Sequence, residues 1–167
     1  MGKLRFLIAV IVGKVSAFLL DKIFKRGTNT PGIIMLKICP DALSRFIMPR
    51  TTICVTGTNG KTGTSNLLTH IIRNSGKSVV NNSKGSNMAP GLASALVTQC
   101  TLGGKVTADV AVLEVDERSS QYIYTEFTPD YILCTNLFRD SIMRNGHSGF
   151  IFDKIKVNGV SLHFLYN

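Results

Sequence analysis

Residues 53–64 read Ile-Cys-Val-Thr-Gly-Thr-Asn-Gly-Lys-Thr-Gly-Thr. An apolar run stops at a small, glycine-bearing turn, a Lys-Thr pair follows, and Leu67, Leu68, Ile71 and Ile72 then recur at helical spacing. That order is strand, phosphate loop, helix. The turn's backbone N–H groups and the positive end of the helix would face an anion. Lys61 would reach a polyphosphate, and the Thr62 hydroxyl would hold Mg²⁺. Gly57 and Gly60 allow the backbone to curl this tightly. The loop is not the common nucleotide-binding form, which requires glycine where this chain has Val55.

A second set of chemical groups follows the other predicted strands. After strand two comes Asn81-Asn82-Ser83-Lys84-Gly85-Ser86-Asn87; after strand three come Glu114, Asp116 and Glu117; after strand four come Thr135, Asn136, Arg139 and Asp140. Ligands of open α/β sheets lie at the carboxyl ends of the strands, so these loops and the phosphate loop converge on one edge. Glu114 ends an apolar strand beside the loop, where a carboxylate can hold Mg²⁺ against a triphosphate. Asp116 or Glu117 could do the same work. Asp140 either orients a group or caps a turn. His70, His147 and His163 are scattered without ligand spacing.

The elements that position these groups follow from periodicity. Strands are predicted at Thr51–Thr56, Ser78–Asn81, Ala108–Val115, Tyr131–Thr135 and Val160–Leu165. Helices are predicted at Gly60–Ser75, Ala89–Gln99 and 119–126. The alternation specifies an α/β fold with a parallel, doubly wound sheet. The apolar run Val110–Leu113 suits a strand buried on both faces. Ahead of the sheet, residues 1–50 form a helical basic segment, and residues 51–167 form the αβ domain. Residues 27–33 are expected as a loop, and Ile34–Leu43 as helix on both sides of a break at Pro40.

With 167 residues, 44% of them hydrophobic and 17% charged, the chain has the composition of a globular protein. Its net charge of +9 is uneven. The first fifty residues hold nine Lys/Arg against Asp21 and Asp41, so +7, and the rest contribute +2. No RNA-recognition signature or basic-aromatic interleaving is present, and no nucleic-acid partner is expected. Cys39, Cys54, Cys100 and Cys134 show no Cys-x-x-Cys pairing and read as free thiols in a reducing cytosol. Lys14, Asp21 and Lys22 interrupt the apolar N-terminus, whose longest uncharged stretch, Phe6–Gly13, is far short of the ~20 residues a span needs. Residues 3–25 are expected as one amphipathic helix that packs on the domain or a partner, or lies on an anionic membrane surface.

The string Thr56–Thr62 resembles the ATP loop of the Mur ligase superfamily. Further segments narrow the resemblance to the MurT subunits of lipid II isoglutaminyl synthase. They are Arg26-Gly27-Thr28 with Pro31-Gly32, Asn81-Asn82 with Gly85 and Asn87-Met88, Leu113–Glu117, and Thr135–Asp140. They keep the family's order and cover residues 1 to about 140. The resemblance implies the central ATPase domain of an ATP-dependent carbon–nitrogen ligase of peptidoglycan synthesis, with ATP and Mg²⁺ as cofactors. The α-carboxylate of D-glutamate in lipid II would be phosphorylated, and ammonia from a GatD-like glutaminase partner would give D-isoglutamine. Gly57, Thr58, Asn59, Gly60, Lys61 and Thr62 would bind ATP, Thr62 and Glu114 would serve the metal, and Asn87, Asn136 and Asp140 are assigned to the substrate side. The location implied is the cytoplasm, at or near the inner face of the membrane.

The chain departs from the family's usual run at Gly63, where a Thr is usual, and after Asp140, where acidic and amide residues give way to Ser141–His147. The resemblance further implies an N-terminal portion of such a subunit, without the C-terminal domain that closes over ATP, and inactive alone. The alternatives are a remnant that binds nucleotide and turns nothing over, or another Mur-family ligase joining an acid to an amino acid.

Overall fold

The computed structural model describes residues 2–24, 29–136, 157 and 160–165. Three helices lead the chain: α1 (Gly2–Phe24), α2 (Thr30–Ile38) and α3 (Ala42–Arg45). The αβ units follow as β1 (Thr51–Thr56), α4 (Lys61–Asn74), β2 (Val79–Asn81), α5 (Ala89–Thr98), β3 (Val110–Glu114), α6 (Ser120–Glu126), β4 (Tyr131–Cys134) and β5 (Ser161–Phe164). All pairings in the five-stranded sheet are parallel, in the order β2-β3-β1-β4-β5. Predicted elements and observed ones agree to within two residues at most ends.

Side chains alternate across the sheet and build a core on each face. On one face Val55, Val79, Val110 and Val112 pack beneath Leu68 and Ile72 of α4. On the other, Cys54, Val80, Ala111, Leu113, Ile132 and Cys134 meet the leading helices together with α5 and α6. Leu96, Leu113 and Ile132 are fully buried, and such side chains each contribute roughly 1.5–3 kcal/mol.

The leading helices share this larger core. Phe6, Ala9 and Val10 of α1 and Met35 of α2 are buried in it. Phe6 meets Phe46 edge-on, with ring centroids 5.6 Å apart. Ile47 ties the segment to the α5–β3 connection, accepting from Val106 N–H and donating to Gly104 O, both at 3.0 Å.

Two expectations change. Residues 30–33 are helical rather than loop: Pro31 lies in the first turn of α2, where its missing N–H costs nothing, and Ile33 N–H bonds Asn29 O at 2.9 Å. Turn-like composition concealed a helix start. The N-terminal helix forms as expected but is not amphipathic in the usual sense. Phe6, Ala9 and Val10 face the core, while Leu4, Ile8, Ile11, Val15, Phe18 and Leu19 face outward.

Candidate functional site

The register places β3 directly beside β1, with Val55 opposite Glu114. The last residues of the two strands therefore deliver the phosphate loop and the carboxylate to one point on the sheet's carboxyl edge. Gly57 turns the chain out of β1 with φ +125°, and Gly60 precedes α4 with φ +80°, both conformations that favour glycine. At Gly57 a Cβ would lie 2.3 Å from Thr135 Oγ1, so packing as well as backbone conformation requires a glycine there. No side chain caps the N-terminus of α4, so its first-turn amides face the mouth of the loop as an anion-binding end does.

The loop is braced from β4. Asn136 O accepts from Thr58 N–H at 2.9 Å. Its side-chain oxygen accepts from Asn59 N–H at 3.0 Å, and its amide donates to Asn59 O at 3.1 Å. Thr135 Oγ1 donates to Asn59 O at 2.7 Å. Asn136 thus supports the loop from beneath, and the amides of Thr58 and Asn59 serve the loop's own shape.

Thr58, Asn59, Gly60, Lys61, Thr62, Gly63, Asn87 and Glu114 line one shallow pocket of about 490 Å³. Within it the Thr62 hydroxyl donates to Glu114 Oε2 at 2.8 Å, and Asn87 Nδ2 reaches Glu114 Oε1 at 3.4 Å. Lys61 folds back over its own loop. Its ammonium donates to the carbonyls of Gly57 and of Thr58, the latter at 3.2 Å, and lies 3.5 Å from Glu117 Oε1. A larger cleft of about 930 Å³ lies beyond the Asn81–Gly85 loop and is lined by Lys14, His70, Arg73 and Lys84 among others. The convergence of hydroxyl, carboxylate, ammonium and helix end belongs to the smaller pocket, and that is the candidate site.

Two supports were not legible from residue types. Asn82 is buried and clasps the end of β3 like a further strand: its oxygen accepts from Glu114 N–H at 2.8 Å and its amide donates to Glu114 O at 2.9 Å. Asn81 donates to Ser65 Oγ and Thr69 Oγ1, both at 2.9 Å, and so joins β2 to α4. The paired asparagines are visible as a motif, but their division of labour needs the register. Asp116, an alternative to Glu114 by position, instead accepts from Arg118 N–H and Ser119 N–H in the turn before α6. Asp140 and His147 lie outside the described residues.

Among the described residues no cluster of three or more His, Cys, Asp or Glu could hold a metal ion. A cation at Thr62 and Glu114 would take one hydroxyl and one carboxylate from the protein and the rest from phosphate and water. That donor set suits Mg²⁺, which keeps waters and is bound by one or two carboxylates plus substrate phosphates.

Sequence comparison bears on the same stretch. The Mur ligase middle domain family matches residues 55–144, more than half of the chain. The chain belongs to the Mur ligase family. Among similar proteins, the lipid II isoglutaminyl synthase (glutamine-hydrolyzing) subunit MurT of Staphylococcus aureus strain N315 is 38% identical over 132 residues, which is 78% of this chain and 29% of the relative. The subunit of the same name from Streptococcus pneumoniae is 34% identical over 143 residues, 86% of this chain and 31% of the relative. The UDP-N-acetylmuramate–L-alanine ligase of Leuconostoc citreum is 30% identical over 122 residues, 73% of this chain and 23% of the relative. The chain thus spans about three tenths of the length of its MurT relatives. The Mur ligase match includes the loop, Asn87, Glu114 and Asn136.

Proposed function

We propose that these residues are the ATP-binding part of an ATP-dependent amide ligase of peptidoglycan synthesis, of the MurT type. The observation that carries the ATP site is the 2.8 Å contact of Thr62 with Glu114 at the uncapped start of α4. In this reading the first-turn amides and Lys61 receive the polyphosphate, and Lys61 offsets charge that develops during phosphoryl transfer. Thr62 and Glu114 hold Mg²⁺, which supplies further neutralisation of the phosphates. Lys61 must leave the Gly57 and Thr58 carbonyls to do so, a short swing on a flexible stem. Asn87, beside Glu114, stands toward the acceptor.

The acceptor class rests on similarity to the two MurT subunits. We infer the α-carboxylate of D-glutamate in lipid II, with ammonia delivered by a glutaminase partner to give D-isoglutamine. The four free, buried cysteines suit a reducing cytoplasmic setting.

Calorimetric titration with Mg-ATP tests the site. Wild type should bind and Lys61→Ala should bind at least ~10-fold more weakly, about 1.4 kcal/mol; equal affinities would refute it. The acceptor is tested by depleting the gene product in its own cell and measuring D-isoglutamine against D-glutamate in the stem peptides by mass spectrometry. A fall in the amide supports the reading. An unchanged ratio with accumulation of a peptide lacking one amino acid would point instead to an acid–amino-acid ligase, as in the Leuconostoc relative.

A further inference from the structure

Helix α1 carries two apolar faces on opposite sides. Phe6, Ala9 and Val10 lie in the core, and Gly13 is buried beside Val97 of α5, which fixes the helix on the domain. Leu4, Ile8, Ile11, Val15 and Phe18 recur at alternating four- and three-residue intervals, which places them in one straight stripe half a turn away. They stand in solvent: Leu4 is 65% exposed and Phe18 60%. The stripe runs about 21 Å along the helix. Contiguous exposed apolar area on a rigid element marks an interaction surface.

Charge decides the occupant. The described residues of α1 hold Lys3, Arg5, Lys14 and Lys22 against the single acid Asp21. Lys22 continues the stripe by one more four-residue step and lies over the Phe18 ring at 4.6 Å. Its stem can lie on apolar surface while its ammonium reaches a polar layer. Of the +7 on the first fifty residues, +3 lies on α1 itself, four basic side chains against one acid. A second copy of the chain would set this cationic edge against itself, whereas an anionic lipid surface complements both the apolar stripe and its charge. No helix among the described residues is long and apolar enough to cross a membrane.

We propose that the outward stripe of α1 seats the protein on anionic lipid, with α1 lying in the plane of the headgroups and the core-facing side of the same helix carrying the αβ sheet. An in-plane helix bound by apolar area plus basic charge has this construction. The proposal stands apart from the nucleotide site.

Flotation tests it, because vesicle-bound protein rises in a density gradient and aggregates do not. The whole 167-residue chain should float with phosphatidylglycerol-containing vesicles at low salt, and binding should fall at least ~5-fold at high salt, where charges are screened. Vesicles of phosphatidylcholine alone should carry little. Ile8→Asp with Ile11→Asp should abolish flotation while leaving the melting temperature unchanged, because both residues lie on the exposed face. The chain has no tryptophan, so Phe18→Trp gives a clean second readout: its emission should shift to the blue on anionic vesicles and stay solvent-like without them. Flotation of the double variant equal to wild type, no blue shift, or equal binding to neutral vesicles would overturn the proposal. A dimer in sedimentation equilibrium that Ile8→Asp/Ile11→Asp dissolves would also overturn it, and would assign the stripe to a second copy.

Discussion

Lys61 and Glu117 form an ion pair at 3.5 Å between side chains that are 12% and 8% exposed, directly behind the phosphate loop. Glu117 lies past the end of β3 and Lys61 opens α4, so the pair ties the loop's helix to the neighbouring strand's turn. The same ammonium donates to the carbonyls of Gly57 and Thr58. The residue most suited to meet a polyphosphate therefore has three protein partners, and its charge is compensated at a site largely closed to water.

Breaking that pair from either side leaves a charge without its partner in a poorly solvated place. Glu117→Gln is expected to cost about 1–3 kcal/mol in urea denaturation, and Lys61→Ala a similar amount. The double variant should cost less than their sum by about 0.5–3 kcal/mol, the signature of directly interacting residues. Strict additivity would show that the two groups do not stabilise each other.

Thr62 and Glu114 make a different prediction because their contact sits in the pocket. Thr62→Val and Glu114→Gln should each remove the affinity that Mg²⁺ adds to ATP binding, a loss of about 10-fold in its presence. Affinity for ATP in excess chelator should change little. Calorimetry with and without Mg²⁺ separates the two quantities. A variant that loses affinity equally under both conditions would mean that the residue shapes the loop and has no part in holding the cation.

The loop, the sheet and Glu114 were legible in the sequence for a simple reason. A glycine-bearing turn between an apolar strand and a helix is a local pattern, and a continuous apolar run marks a strand covered on both faces. What escaped was non-local. That Asn136 braces the loop through three hydrogen bonds, two to Asn59 and one to Thr58, depends on β4 lying beside β1, which no spacing reveals. Glu117 and Asp116 are adjacent in sequence, yet one turns inward to Lys61 and the other caps a turn. The start of α2 was hidden because Thr-Pro-Gly is as good a turn as it is a helix N-terminus. The second apolar face of α1 merges in the sequence with the first, since composition alone cannot say which of two faces meets the core.

The glycines of the loop separate packing from propensity. Gly57 has φ +125°, and a Cβ there would also meet Asn136 O at 2.8 Å. Gly57→Ala should cost at least about 1–3 kcal/mol from backbone strain alone and weaken nucleotide binding. Gly63 lies in the first turn of α4, and a methyl group added there would meet nothing within 4 Å. Gly63→Ala should therefore stabilise the protein by up to about 1 kcal/mol. Thermal melts of the two variants should move in opposite directions; a fall in both would show that Gly63 is required by something besides helix propensity.

The buried thiols set an alkaline limit on stability. Burial, assisted by the charge of Glu117, pushes Cys134 up to about 11 from its ordinary value near 9.0. Burial also raises Cys54 and Tyr124, which stand with it in the larger core. Each of these groups holds its proton more tightly in the folded state than in the unfolded one. Their contribution is therefore fully present below the unfolded thiol value and is lost as pH rises through the folded one, because the unfolded chain ionises first. For each such thiol the loss approaches about 1.4 kcal/mol per pH unit across that window. The urea midpoint should accordingly be insensitive to these groups at pH 7–8 and fall steeply between about pH 9 and 11. The thiolate is the reactive form, so Ellman's reagent at about pH 8 should label the folded chain far more slowly than the unfolded one. A midpoint that holds level to about pH 10.5, or native thiols that react at the rate of free cysteine, would place these side chains in water rather than in the core.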